Sequence, residues 1–161
     1  MTQVLQPPGW ARPKGYANGV AVRGRQIYVA GMIGWDGQGQ FHSDDLVAQV
    51  RQALRNVVEV LAEAGATPAH IVRMTWYLTD KREYGRRGRE IGAAYRELIG
   101  SFSVAMTAVQ VSALIEDRAQ VEIVPVFGAR GPDKLGQVRQ AAAGQVADRR
   151  RIADQLQRAR P

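Results

Sequence analysis

The sequence predicts an α+β domain of order β-β-α-β-α-β-β, with its helices on one face of a mixed sheet. Three observations lead there. In residues 104–111 Val104, Met106 and Ala108 alternate with Ala105, Thr107, Val109 and Val111, and in 120–124 Val121 and Ile123 alternate with Gln120, Glu122 and Val124, the period of two that marks strands. Between about 43 and 64, Val47, Val50, Leu54, Val57, Val58 and Leu61 recur on one helical stripe. Residues Ile71–Thr79, IVRMTWYLT, are rich in β-branched and aromatic side chains, as a third strand region would be.

In chain order, residues 1–15 carry Pro7, Pro8, Gly9, Pro13 and Gly15, which predict an irregular arm. Tyr16–Val22 and Gln26–Ile33, joined by Arg23-Gly24-Arg25, have the pattern of a β-hairpin. Gly34–Gln40 is a glycine-rich loop with an Asp-Gly turn signal. It lacks the Lys-Ser/Thr of a phosphate loop, and GxGxxG is absent. Ser43 or Asp44 is placed to cap the first helix, and Gly65 to end it. Asp80-Lys-Arg-Glu83 has capping-box spacing and opens a second helix to about Ile99. Tyr84, Ile91, Tyr95 and Leu98 form its apolar side, while Gly85, Gly88 and Gly92 weaken it. Pro125 cannot donate to a ladder, which predicts an edge or a bulge there.

Two helices cover one face of such a sheet and leave the other bare. A bare apolar face predicts obligate self-association, with sites built between subunits. On the last strand Val121 and Ile123 take one face, and Gln120, Glu122 and Val124 the other. A carboxylate inside that run needs a partner or a wet pocket, so Glu122 is the first candidate functional residue. The alternative is a solvated sheet face.

Charge separates the chain into two parts. Residues 1–127 hold 14 Lys/Arg and 12 Asp/Glu, whereas residues 128–161 hold 8 and 3. The basic excess is therefore mainly in the tail, and the domain carries little charge of the kind that draws a polyanion. Residues 129–161 are expected to be a basic helical extension, with Leu135, Val138, Ala142, Val146, Ile152 and Leu156 as a thin stripe around Arg149-Arg150-Arg151. The absence of cysteine removes disulfides, thiolate ligands and a thiol nucleophile. His42 and His70 lack metal-ligand spacing, so neither metal nor cofactor is expected. No membrane-length apolar run and no apolar signal core occur, so a cytoplasmic protein without a membrane partner is expected.

Several stretches in this order resemble the Rid family, the reactive intermediate deaminases also called the YjgF family. They are Val29-Ala30-Gly31-Met32-Ile33, residues 48–56 (AQVRQALRN), Ala64-Gly65-Ala66, Ile71-Val72-Arg73, Leu78-Thr79-Asp80 and Val121-Glu122-Ile123. The resemblance spans about Tyr16 to Phe127. It implies a chorismate-mutase-like fold, a homotrimer with three clefts between subunits, and hydrolysis of enamines or imines to a keto acid and ammonia. It also implies that Glu122 positions or activates water. Where such proteins carry a substrate-gripping arginine this chain has Thr107, and a cysteine two residues further on is Val109 here. An asparagine of the second helix is matched by Gly92, and a tyrosine-containing start of the cleft by Tyr16 with Asn18.

A threonine donates one neutral hydrogen bond worth about 1 kcal/mol net, against roughly 1.5–3 for a charged group. The departure at Thr107 therefore implies altered specificity, toward a less acidic or more apolar ligand. Thr107, Tyr16, Asn18, Trp35 and Tyr95 are the expected substrate contacts, and Arg118, Arg23 or Arg25 could supply a cation from elsewhere. A metabolite-binding trimer without turnover is the alternative, and a ribonuclease or translation inhibitor a third reading that the domain's charge opposes.

Overall fold

The structure, a computed structural model, describes residues 2–11, 13, 16–101 and 104–128. The basic extension predicted for 129–161 lies outside the described residues. The elements are β1 (Thr2–Leu5), β2 (Gly19–Val22), β3 (Gln26–Tyr28), α1 (Leu46–Glu63), β4 (Ile71–Leu78), α2 (Lys81–Arg86), α3 (Gly88–Leu98), β5 (Ala105–Gln110) and β6 (Val121–Gly128).

The main sheet has the order β3-β6-β4-β5, with β4 and β5 parallel and the other pairs antiparallel. Alternate residues of its inner strands are sequestered: Met74, Trp76 and Leu78 on β4, and Val121, Ile123 and Phe127 on β6. Against them lies the α1 stripe, whose Val50, Ala53, Leu54, Val57 and Leu61 are fully buried. Trp76 meets Tyr84 and Tyr95 from α2 and α3 at ring separations of 6.2 and 6.5 Å. All the helices thus lie on one side, as the sequence predicts. This is the chorismate-mutase-like α+β fold.

Four details depart from the sequence reading. Thr2–Leu5 forms a strand in the arm expected to be irregular, because the turn-forming Pro7, Pro8 and Gly9 begin only beyond it. That strand, not β3, is the partner of β2, with Thr2 opposite Val22 and Leu5 opposite Gly19. The predicted β2–β3 hairpin is therefore replaced: β3 pairs with β6, so the two sides of the Arg23-Gly24-Arg25 turn belong to different sheets. The first helix is capped by Asp45, whose carboxylate accepts the Ala48 N–H at 2.9 Å, and not by Ser43 or Asp44. The second predicted helix is two, interrupted at Arg87, where Gly85 and Gly88 lower helix propensity.

Pro125 lies on an inner strand, opposite Met74. Ile123 exchanges both backbone bonds with Met32 at 2.9 Å. Two residues on, the Pro125 carbonyl accepts the Val29 N–H at 3.4 Å, and the register between the two segments shifts by one residue between Tyr28 and Met32. The irregularity lies in the neighbouring segment, beside the nitrogen that cannot donate.

Candidate functional site

The face of the sheet turned away from the helices is assembled by register. Val109, Tyr77 and Glu122 form one row across β5, β4 and β6; Thr107, Thr75 and Val124 form the next; Ala105, Arg73 and Val126 form the third. Glu122 is half-buried and has no hydrogen bond or ion pair among the described residues. Its carboxylate lies over Gly31. A Cβ at that glycine would overlap the carboxylate oxygen and come within 2.6 Å of Cδ and 2.8 Å of Cγ, so glycine is what leaves room for the side chain. Tyr77 is the direct cross-strand neighbour of Glu122, at the roughly 5 Å Cβ spacing of such pairs.

Two polar side chains of α1, two turns apart, hold the segments that meet here. Asn56 donates to the carbonyls of Ile33 and Trp35 at 3.1 and 2.8 Å, pinning the chain just after Gly31. Gln49, 1 % exposed, donates to the carbonyls of Ser43 and Arg118 and accepts the Gln120 N–H at 2.8 Å. It thereby fixes the chain two residues before Glu122. The helix thus orients the carboxylate through the backbone, from the opposite side of the sheet.

The expected substrate contacts do not converge on one spot. Thr107 shares the open face with Glu122 but stands two strands away and one row off, a Cα separation of roughly 12 Å from sheet spacings. Tyr16 and Asn18 flank Ala17, which bridges to Ala105 at the outer edge of β5, two residues before Thr107. Tyr16 is 42 % exposed, and Asn18 donates to Gln6.

Trp35 and Tyr95 are on the helix side. Trp35 follows Met32, whose pairing with the buried Ile123 turns it toward α1. It lines a cleft of about 320 Å³ with Met32, Asn56 and Val60, Gly37 and Gly39 forming part of the rim. Tyr95 packs on Trp76, and burial pushes its phenol up to about 12, so it stays neutral. Neither shares the face of Glu122 within one subunit. The pattern of the loop and helix shows that these rings are apolar contacts, but not on which side of the sheet they fall.

Tyr77 is the residue that sequence reasoning missed. The signal was available in the alternation of Trp76 and Tyr77, one ring to each face. Gly31 gives no sign in the sequence that it lies beneath a carboxylate. The cations offered as substitutes for an arginine at position 107 are also accounted for in part. Arg118 is engaged, donating to Asp44 at 2.8 and 3.0 Å and to the Phe41 carbonyl at 3.3 Å, with its guanidinium 5.3 Å from the Phe41 ring. Arg23 and Arg25 are exposed in the β2–β3 turn. On the open face itself the cation is Arg73, roughly 14 Å from Glu122 by the same spacings.

Among the described residues no group of three or more His, Cys, Asp or Glu side chains is arranged to hold a metal ion. None of the described helices is long and apolar enough to cross a membrane.

Comparison with known proteins places this arrangement among relatives. The family model described as Endoribonuclease L-PSP matches residues 10–126. The human 2-iminobutanoate/2-iminopropanoate deaminase is 32 % identical over 123 residues, covering 75 % of this chain and 85 % of that one. Among solved structures, the Rid-family protein YyfB of Yersinia pestis superposes with a TM-score of 0.68 at 30 % identity, over 80 % of this chain and 98 % of its own. The YjgF gene product of E. coli gives a TM-score of 0.59 at 28 % identity, over 71 % and 88 %.

Proposed function

The chain belongs to the Rid (YjgF) family, and from that premise we propose that it hydrolyses imines or enamines at Glu122, with a substrate preference shifted from that of its named relatives. The observation that carries this reading is the half-buried, unpartnered Glu122 carboxylate seated over Gly31 beside Tyr77. A carboxylate so placed accepts a proton from water as the water oxygen bonds to the imine carbon. It returns that proton to nitrogen to give the carbinolamine, then relays the carbinolamine's hydroxyl proton to the same nitrogen as the C–N bond breaks and the carbonyl forms, and ammonia leaves. Water and imine in, carbonyl compound and ammonia out: the balance needs no redox partner.

The shifted preference rests on Thr107, an exposed neutral side chain, and on the distance of Arg73 from Glu122. A compact 2-imino acid held at Glu122 would find no cation near its carboxylate among the described residues of the open face, so imines with larger or apolar side chains are the favoured class. The open face bears Val109, 41 % exposed, and the half-buried Val124 and Val126. We assign it to self-association as a homotrimer, whose clefts would bring Tyr16, Asn18 and Thr107 of one copy toward Glu122 of another.

Thr107 equally supports a second reading, a trimer that binds a metabolite without turning it over. Imines generated in place by an amino-acid oxidase, aliphatic and aromatic, discriminate between the two. Hydrolysis above the free-solution rate, reduced about 100-fold or more by Glu122→Gln, is the expected result. No acceleration for any imine, alongside saturable binding of one, would replace the hydrolase with the binding protein. The ribonuclease reading draws on the family model's description, and the near-balanced charge of residues 1–127 opposes it.

A further inference from the structure

The cleft beside Trp35 takes no part in the proposed hydrolysis, and its chemistry differs from that of the Glu122 face. Its floor and walls are Met32, Trp35 and Val60, and its polar side is Asp36, Asn56 and Glu59. Asn56 is spent on structure: its amide donates to Ile33 and Trp35, and its carbonyl accepts from Gln52. The two ionisable residues of the lining, Asp36 and Glu59, are both acidic. Asp36 accepts the N–H groups of Gln38 and Gln40 at 2.9 Å and pairs with His42 at 2.6 Å. Those bonds hold its carboxyl below the usual range, so it is ionised at neutral pH. Glu59 is exposed and makes no ion pair among the described residues. Among the described residues no Lys or Arg lines the cleft.

We propose that this cleft is a binding site for a small organic cation, an amine or quaternary ammonium carrying an apolar group. The indole and the thioether supply polarizable surface, which attracts a weakly hydrated cation as well as its hydrocarbon part. The two carboxylates supply charge complementarity, and they exclude anions, including the carboxylate-bearing imines of the other site. A volume of about 320 Å³ suits a ligand of small-metabolite size. Because Met32 shares the face of Ile123, and Asn56, Glu59 and Val60 belong to α1, the cleft lies on the helix side, away from the bare sheet face. It is therefore independent of Glu122 and stays accessible when that face is covered.

The test uses the full chain and three probes: benzyltrimethylammonium, neutral benzyl alcohol and anionic benzoate. The indole N–H signals of Trp10, Trp35 and Trp76 are followed by NMR, with Trp35→Phe assigning the middle one. Saturable movement of the Trp35 signal by benzyltrimethylammonium alone is expected. Glu59→Gln should weaken it severalfold and Glu59→Lys about tenfold or more, both with unchanged helix content and unchanged imine hydrolysis. No saturable shift, equal shifts from benzyl alcohol, or an affinity indifferent to both Glu59 substitutions would overturn the proposal. Because Glu122→Gln should leave this binding intact, loss of either site is told apart from loss of the other.

Discussion

The two faces of the β4–β6 pair are cut from the same residues in alternation, yet they do different work. On the helix side Met74, Trp76, Leu78, Val121 and Ile123 are sealed beneath α1 and α3. One residue out of step, Arg73, Thr75, Tyr77, Glu122 and Val124 present ionisable, hydroxyl and aromatic groups that stay exposed or half-buried, with β2 packing only at the Gly128 end of that face. The sealed face supplies stability, since burial of each large apolar side chain contributes about 1.5–3 kcal/mol. The open face keeps a carboxylate half-wet and unpaired, which a core would not tolerate. A one-residue slip of β6 would exchange these roles, so Gln49, which anchors the backbone at Gln120, guards both.

Substitutions on either face sharpen that contrast. Trp76→Ala should cost about 3–5 kcal/mol in denaturant unfolding, with activity lost only in proportion to the unfolded fraction. Val124→Asp, on the open face, should leave the fold standing but raise the dissociation constant of the oligomer at least tenfold, read by sedimentation velocity. Unchanged association would show that this face is not the interface. The smallest effect belongs to neither face. Asp45 caps α1 and bonds Arg87, so Asp45→Ala should cost about 1 kcal/mol at neutral pH. The Ala48 N–H and then Arg87 lower its folded pKa. Its contribution is therefore complete above the unfolded value of about 3.9 and disappears as pH falls through the folded one. The gap between wild type and variant should close in acid.

Local pattern carried much of this molecule. The α1 stripe, the strand at 71–78 and the facing of Glu122 opposite Ile123 all follow from periodicity, because burial on one side selects every second or every third to fourth residue. Long-range choices did not follow. Nothing in residues 19–28 states that β2 will turn to β1 and β3 to β6, since the same alternation serves either pairing. The shared face of Glu122 and Thr107 was legible because both lie on regular strands. The side taken by Trp35 and Tyr95 was not, because they come from a loop and a helix whose approach to the sheet depends on the whole fold. Gly31 was legible only as a glycine; that it clears space for Glu122 requires β3 and β6 to be adjacent.

Gly31→Ala puts the division between the faces to its most direct test, because it displaces the carboxylate without touching the core. The measurement is the rate of imine hydrolysis and the thermal midpoint on one preparation of the variant. The methyl group collides with the end of a flexible side chain, so the midpoint should move little while the rate falls about tenfold to a hundredfold. A rate equal to wild type would contradict the placement of catalysis at Glu122. A midpoint that collapses together with the rate would contradict the separation of stability from function on which the account rests.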